Sequence, residues 1–267
     1  MKRIEWIDNA KGILIILVVI GHICAWLAYD TYPMKWIYAF HMPAFFAVTG
    51  ILYRYTQKHR RPFGAAVVRL AEQLLIPCIG FEVFGYLFDG ILFGFSESPV
   101  QMVTTTVTEG FHYNLGWYLV TLFAAEILLM ITLKITEDSR ILYALCAVSY
   151  LSACYIPVTV IIRICTAYLF LLLGYLLKDR FENPVPAAAL LCLAAVSFCA
   201  YRNIRVDLNN GILGSRKLFL PGAVCGTYFI MYISHFINMS WPGRHSLIIM
   251  GVHLPLMDGL RKFLETR

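Results

Sequence analysis

Apolar runs of about 20 residues recur along the whole chain, and most charged residues fall between them. A helix that crosses a membrane needs about 20 mostly apolar residues. On that template we find about nine candidate spans, within a range of eight to ten. They cover 12–29, 36–54, 73–94, 115–134, 141–156, 158–177, 185–201, 218–238 and 246–264. The sequence therefore predicts an all-α, polytopic transmembrane helix bundle.

The composition excludes a water-soluble domain. Of the 267 residues, 60% are hydrophobic and 14% are charged, whereas a soluble domain has about 25% charged residues. We expect residues 1–267 to form a single membrane-embedded domain without a soluble domain. All eight cysteines lie in apolar stretches without a CxxC spacing, which predicts neither a disulfide framework nor a metal site.

Lys and Arg residues predict how the chain is oriented, because they concentrate in cytoplasmic connections. Basic residues precede the first span, whereas none lies between Arg69 and Lys134. The N-terminus is therefore predicted to be cytoplasmic. The connections expected in the cytoplasm are 55–72, 135–140 and 178–184, and those expected outside are 30–35 and 95–114. Four basic residues in a later polar connection depart from this rule: Arg202, Arg205, Arg216 and Lys217.

Several ionisable side chains lie inside the predicted spans. Each costs about 2.5–3.5 kcal/mol in hydrocarbon, so such residues are functional candidates by default. They are His22, His41, Glu82, Glu126, Arg163, His235 and His253. A hydrogen bond between helices would explain any one of them, but the whole set indicates a functional site.

Lys11 and His22 share one face of the first predicted helix. Their separation of 11 residues corresponds to about three turns plus 20°, with a rise of about 16 Å. Lys11 is thus expected at the cytoplasmic mouth and His22 well inside the membrane. Asp8 lies one turn before Lys11, where it can orient the lysine or cap the helix, and the structural role is favoured.

His22 and His41 are expected at a similar depth on adjacent helices. His41 lies about 8 Å into the second span, and His22 lies about 10 Å from the far end of the first. A neutral imidazole can accept a proton from a hydroxyl group, as acyl transfer requires. A proton relay in a transporter fits the same geometry.

Six motifs resemble acyltransferase family three, a family of bacterial integral-membrane O-acyltransferases. They are WIDNAKGILIILVVIGH, FHMPAFFAVTG, RLAEQLLIP, LGWYLVTLFAAEIL, YLFLLLGYLL and GRHSLIIMGVHLP, in the family's order. The resemblance is to the fucose O-acetyltransferase-like, exopolysaccharide-modifying branch. It implies an inner-membrane enzyme with acetyl-CoA (acyl-CoA) as co-substrate and a cell-surface carbohydrate or lipid-linked glycan as acceptor. It implies no metal and no nucleic-acid partner, and it leaves the oligomeric state open.

The resemblance also implies roles for individual residues. His22 matches the catalytic base, while Lys11 and, with a weaker match, Arg69 match contacts for the CoA phosphates. Many members have Arg where this chain has Lys11, and Lys offers a point charge without the fork of Arg. His41 is a candidate donor to the oxyanion that acyl transfer produces.

Further residues receive acceptor-side or structural roles. Trp117 and Tyr118 resemble the family's residues on the acceptor side, although an aromatic belt at the membrane interface is the simpler interpretation. Glu126 and Arg163 are predicted to form an ion pair inside the bundle. His253 belongs to the closing motif and is given a structural role.

Two other functions stay open. A small-solute transporter would also have buried polar groups, but it would be expected to show inverted repeats, and none is recognisable. A shortened, inactive relative that serves as a partner subunit is the second alternative. It is suggested by the count of about nine spans, where members of the family typically have about ten.

Overall fold

The computed structural model describes residues 3–27, 31–108 and 116–265. Within these ranges the chain forms helices and no β-strand, which confirms the predicted all-α bundle. The last residues of the first predicted span and part of the predicted outer connection 95–114 lie outside the described residues.

The helices follow one another with short connections. In chain order they are α1 (Glu5–Leu27), α2 (Tyr32–Tyr38), α3 (His41–Thr56), α4 (Phe63–Phe93), α5 (Pro99–Thr108), α6 (Gly116–Ile135), α7 (Ser139–Tyr155), α8 (Thr159–Leu176), α9 (Lys178–Glu182), α10 (Pro186–Arg202), α11 (Arg216–Ile233), α12 (Ser240–Arg244) and α13 (Ser246–Glu265). Short 3-10 helices cover Lys58–Arg60 and Leu208–Asn210.

Five helical segments among the described residues are long and apolar enough to cross a membrane. They are α1, the segment Tyr32–Thr56 that joins α2 and α3, α4, α6 and α8. The helix α10 is apolar but shorter. The chain is therefore a helical membrane protein, while the count of nine spans stays a prediction.

The helices that build the site run in alternating directions. We call the side on which α1 begins the near side and the side on which it ends the far side. On the near side, Nε2 of His59 lies 3.1 Å from Oε1 of Glu137. On the far side, Arg163 donates to Oδ1 of Asn209 over 3.0 Å. Accordingly α1, α4 and α13 run from near to far, whereas α3, α6 and α8 run from far to near.

The helices α3 and α8 touch backbone to backbone. A Cβ atom at Gly50 would collide with the carbonyl oxygen of Leu171, and one at Gly174 would collide with that of Ala47. Small residues permit such close approach in membrane bundles. This contact fixes α3, which carries His41, against the centre of the bundle.

A polar clamp fastens the segment before α13 to the start of α1. The buried Asn9 side chain donates to the carbonyl of Ser234 over 3.0 Å and accepts from the N–H of Met239 over 3.0 Å. A Cβ atom at Gly243 would collide with the carbonyl oxygen of Asp8, so α12 lies directly on α1. As a result α13 begins beside the N-terminal helix.

Candidate active site

Three of the predicted site residues line one cavity at the far side of the bundle. This far cavity has a volume of about 120 Å³. His22 of α1, His41 of α3 and Trp117 of α6 lie on its wall, as does Tyr38 at the end of α2. The polar connection after α10 closes it with Arg205, Asp207, Leu208 and Asn209.

Tyr38 stands between the two histidines predicted to be catalytic. Its ring centre lies 6.1 Å from that of His22 and 5.0 Å from that of His41. The Tyr38 hydroxyl is 3.4 Å from Nδ1 of His22. Nδ1 of His41 lies 2.8 Å from the carbonyl of Ile37. Because a carbonyl only accepts, Nδ1 of His41 carries hydrogen, and a neutral ring then has its lone pair on Nε2.

A third imidazole, that of His253 on α13, contacts His22. The ring centres are 5.2 Å apart. Nδ1 of His253 lies 3.0 Å from the carbonyl of Ile249 and 2.9 Å from that of Met250, so it also carries hydrogen. Its buried Nε2 has no hydrogen-bond partner among the described residues. The sequence marked His253 as an ionisable residue within a span, but no spacing indicated that α13 packs beside α1.

The far-side connection is held over the cavity by Arg163. This side chain donates to Oδ1 of Asn209 over 3.0 Å, and its guanidinium lies 5.3 Å from the ring centre of Trp117. Within the connection, Arg205 and Asp207 form an ion pair. The sequence predicted only a polar loop here. The high density of polar residues in RVDLNN could have indicated that this connection belongs to the site.

The predicted ion pair between Glu126 and Arg163 is wrong. Oε2 of Glu126 lies 3.4 Å from Nζ of Lys58 instead. Arg163 sits at the level of Trp117, and Glu126 follows Trp117 by nine residues along α6, which is about 14 Å deeper. The two side chains therefore lie at different depths and cannot meet.

Lys11 lines two adjoining cavities on the near side. One, called the near cavity, has a volume of about 290 Å³ and is also lined by Lys58, Glu126 and Tyr118. The other, called the basic mouth, has a volume of about 410 Å³ and is lined by Arg3, Asp8, Lys11 and Arg244. Lys11 belongs to both walls, so the two spaces adjoin at this side chain.

Asp8 lies between two basic side chains of the mouth. Its Oδ1 is 3.9 Å from Nζ of Lys11, and its Oδ2 is 3.8 Å from Nε of Arg244. The Lys11 side chain is 27% exposed. Asp8 thus lies within reach of both Lys11 and Arg244 on one rim, and its role in orienting the lysine or capping the helix stays a prediction.

Arg69 and Tyr118 do not line the same cavities as the residues expected to share their function. Arg69 is exposed and lines a fourth cavity of about 140 Å³ together with Lys58 and Arg61. Tyr118 lines the near cavity, whereas its neighbour Trp117 lines the far one. Tyr118 packs on Phe46, with ring centres 5.3 Å apart.

The near and far cavities are stacked along the same helices. Ile15 of α1 and Phe45 of α3 line the near cavity, while Val18 and Met42, three residues away on each helix, line the far one. Three residues correspond to a rise of about 4.5 Å. We call this layer, together with Met250 of α13, the partition. Lys11 and His22 lie on opposite sides of it.

The described residues show no group of three or more His, Cys, Asp or Glu side chains that could hold a metal ion. Besides the imidazoles of His22 and His41, the far cavity is lined by the Tyr38 hydroxyl, the Asn209 amide, the Asp207 carboxylate and the Arg205 guanidinium. The prediction that no metal takes part stays a prediction.

These features define a polytopic helical membrane protein with a histidine site in the wall of one cavity, stacked on a second cavity that Lys11 lines. Residues 4–267 match the family model described as acyltransferase domain, of acyltransferase family three. The chain belongs to this family.

Two relatives have the name nodulation protein NolL. The one from Mesorhizobium japonicum is 30% identical over 190 residues, covering 67% of this chain and 48% of that protein. The one from Sinorhizobium fredii is 44% identical over 79 residues, covering 27% of this chain and 21% of that protein. The chain thus spans about half the length of the first relative and about a fifth of the length of the second. No solved structure matches it.

Proposed function

We propose that the chain is a membrane-bound O-acyltransferase. It moves an acetyl or other short acyl group from acyl-CoA to a hydroxyl of a cell-surface carbohydrate or its lipid-linked precursor. The observation that carries this proposal is the placement of Lys11 and His22, on one helix, in stacked cavities on opposite sides of the partition.

The near side supports binding of the donor. CoA is a polyanion with a long, thin arm, and four basic side chains surround the space that leads inward: Arg3, Lys11, Lys58 and Arg244. The rise of about 16 Å from Lys11 to His22 suits an arm whose phosphates stay at the mouth. Arg69 lies on the adjoining wall and is proposed as an outer contact.

The far side supports binding of the acceptor. Sugar hydroxyls need donors and acceptors of hydrogen bonds, and Asp207 and Asn209 supply both at the cavity. The Trp117 ring offers an apolar face against which a sugar can lie. Its Nε1 is buried without a partner among the described residues.

The chemistry follows from a neutral imidazole at position 22. His22 accepts the proton of the acceptor hydroxyl while the hydroxyl oxygen attacks the thioester carbonyl carbon. A C–O bond forms, the C–S bond breaks, and the thiolate leaving group receives the proton from His22. The products are an ester and free CoA.

The oxyanion formed during transfer needs a hydrogen-bond donor. A neutral His41 does not supply one, because its N–H already donates to the carbonyl of Ile37. We therefore assign this role to Nε1 of Trp117 and leave His41 as an acceptor in the cavity wall. This changes the role that the sequence gave to His41.

We further propose that the near side faces the cytoplasm of a bacterial cell and that the protein lies in the inner membrane. Acyl-CoA is made in the cytoplasm, so the donor must arrive from that side. The basic connections of the near side agree with the distribution of Lys and Arg in membrane proteins.

The test uses purified protein in lipid nanodiscs with acetyl-CoA. Thiol release and acetyl transfer are measured with methyl glycosides of glucose, mannose and fucose as acceptors. We expect His22→Ala to lower turnover by roughly 10²- to 10⁴-fold while acetyl-CoA still binds. His245→Ala is the matched control, because this imidazole bonds to the Trp241 carbonyl and is not among the residues that line the four cavities.

Two results would contradict the proposal. One is wild-type protein that binds acetyl-CoA but transfers no acyl group to any acceptor, as an inactive relative would. The other is solute uptake into vesicles that is independent of CoA, as a transporter would show.

A further inference from the structure

We propose that His253 is the positioning residue of His22. The ring centres lie 5.2 Å apart without a hydrogen bond between the two side chains. In the reacting state, with the ring rotated towards His22, Nε2 of His253 accepts a hydrogen bond from Nε2–H of His22 and thereby leaves Nδ1 of His22 as the atom that takes the proton. This inference rests on the proposed acyl transfer, and it assigns a role to a side chain to which the sequence gave only a structural one.

Backbone contacts fix the tautomer of His253. Both acceptors near its Nδ1 are backbone carbonyls, those of Ile249 and Met250. A carbonyl cannot donate, so the hydrogen of the neutral ring stays on Nδ1 and the lone pair stays on Nε2. This lone pair is buried, with the residue 6% exposed, and a buried acceptor without a donor is unfavourable.

The tautomer of His22 depends on its ring neighbour, His253. A neutral imidazole has one N–H and one lone pair. If the hydrogen were on Nδ1, Nε2 of both rings would be an acceptor and neither could serve the other. With the hydrogen on Nε2, His22 can donate to His253. Nδ1 then faces the Tyr38 hydroxyl as an acceptor at 3.4 Å.

The Tyr38 hydroxyl marks a place that a reacting hydroxyl can occupy. Tyr38 lines the far cavity, so its hydroxyl marks a position from which an O–H group can reach Nδ1 of His22. An acceptor hydroxyl that takes this position gives its proton to Nδ1. His22 becomes an imidazolium whose Nε2–H stays bonded to His253, until Nδ1–H returns the proton to the thiolate.

The packing of α13 keeps His253 in place. The Phe81 ring of α4 lies so close to Gly251 that a Cβ atom there would collide with it. On the near side, the Asn9 clamp anchors the segment that precedes α13. His253 is therefore held from two sides while Nε2 remains the ring atom that has no other partner.

The test compares His253→Phe, which keeps a ring but has no acceptor, with His253→Gln, whose amide oxygen can accept from His22. The first readout is the turnover of acetyl-CoA in nanodiscs. The second is the rate at which diethyl pyrocarbonate acylates His22, followed by mass spectrometry. We expect His253→Phe to lower both kcat and the acylation rate by roughly 10- to 100-fold, with KM for acetyl-CoA unchanged.

We expect His253→Gln to retain kcat and the acylation rate within about fivefold of the wild type, since it can still accept one hydrogen bond. The acylation rate of His245 in the same digest is the internal control. If His253→Phe does not fold, His253→Met provides the same loss of the acceptor with a flexible apolar side chain.

The inference is overturned if His22 is acylated at the wild-type rate in His253→Phe. It is also overturned if His253→Phe and His253→Gln lose activity to the same extent because KM for acetyl-CoA rises. A side chain that only packs against its neighbours would produce that result. Diethyl pyrocarbonate acylates His22 without acyl-CoA and without a glycan acceptor. A wild-type protein without acyl transfer would thus contradict the proposed function, while the labelling rates would still test the histidine pair.

Discussion

At the scale of single residues, Glu126 is held in the wall of the near cavity at 3% exposure. Its partner Lys58 is 30% exposed. The carboxylate of the pair is therefore buried, whereas the ammonium group reaches solvent. A buried charge that loses its partner is strongly destabilising. The pair therefore links the near-side connection after α3 to the middle of α6.

We predict that Lys58→Met lowers the free energy of unfolding by roughly 1–3 kcal/mol, because it leaves the carboxylate without its partner. The double variant Lys58→Met with Glu126→Gln should lose less than the sum of the single variants. Denaturant unfolding in micelles, analysed as a double-mutant cycle, measures this coupling. Lys217→Met, at an exposed lysine, is the control, and additive losses would contradict the pairing.

A second prediction at this scale concerns the donor. Lys11→Met should raise KM for acetyl-CoA by roughly 10-fold, the cost of one charged hydrogen bond, with a smaller change in kcat. Lys11→Arg should retain most of the affinity. Lys217→Met, which removes an exposed charge at the far side, is the matched control. An unchanged KM in Lys11→Met would remove Lys11 from the donor site.

At the scale of elements, the backbone contact between α3 and α8 gives a prediction that does not depend on function. Gly50→Ala and Gly174→Ala should each lower the midpoint temperature of unfolding, since the new methyl group meets a carbonyl oxygen and overpacking costs about 1–3 kcal/mol. Gly80→Ala in α4 is the control, because its new Cβ meets open space and Ala favours a helix. Equal midpoints for all three variants would contradict the contact.

The sequence predicted some helices more accurately than others. The span 158–177 matches α8 (Thr159–Leu176) closely, because a proline turn and a polar connection bound it. The first span was predicted to begin at residue 12, whereas α1 begins at Glu5. Hydropathy marks only the apolar part of a helix, and the polar turn with Asp8 and Lys11 continues the same helix towards the near side.

The site could be predicted within helices but not between them. Lys11 and His22 share one helix, so their common face follows from the helical repeat alone. The contact between His22 and His253 depends on α13 packing beside α1, which the spacing along the chain does not encode. The wrong pairing of Glu126 with Arg163 has the same origin, since charge complementarity says nothing about relative depth.

At the scale of the whole molecule, the two sides can be distinguished by labelling. We predict that a cysteine at Ile204, which is 75% exposed on the far side, reacts with a membrane-impermeant thiol reagent in intact cells. A cysteine at the exposed near-side residue Arg60 should react only after permeabilisation. The eight native cysteines are buried or half-buried, so the background should be low. The reverse pattern would invert the proposed orientation.

The thin partition has an electrical consequence. When two aqueous cavities approach to within a helical turn, most of the membrane potential falls across the layer between them. A potential of 100 mV is worth about 2.3 kcal/mol for each elementary charge that crosses it. Over a layer of about 4.5 Å, the local field becomes several times steeper than the field across a full bilayer. With both cavities filled with water, we therefore expect any step that carries charge between the level of Ile15 and that of Val18 to respond to voltage, whereas binding at the basic mouth should not.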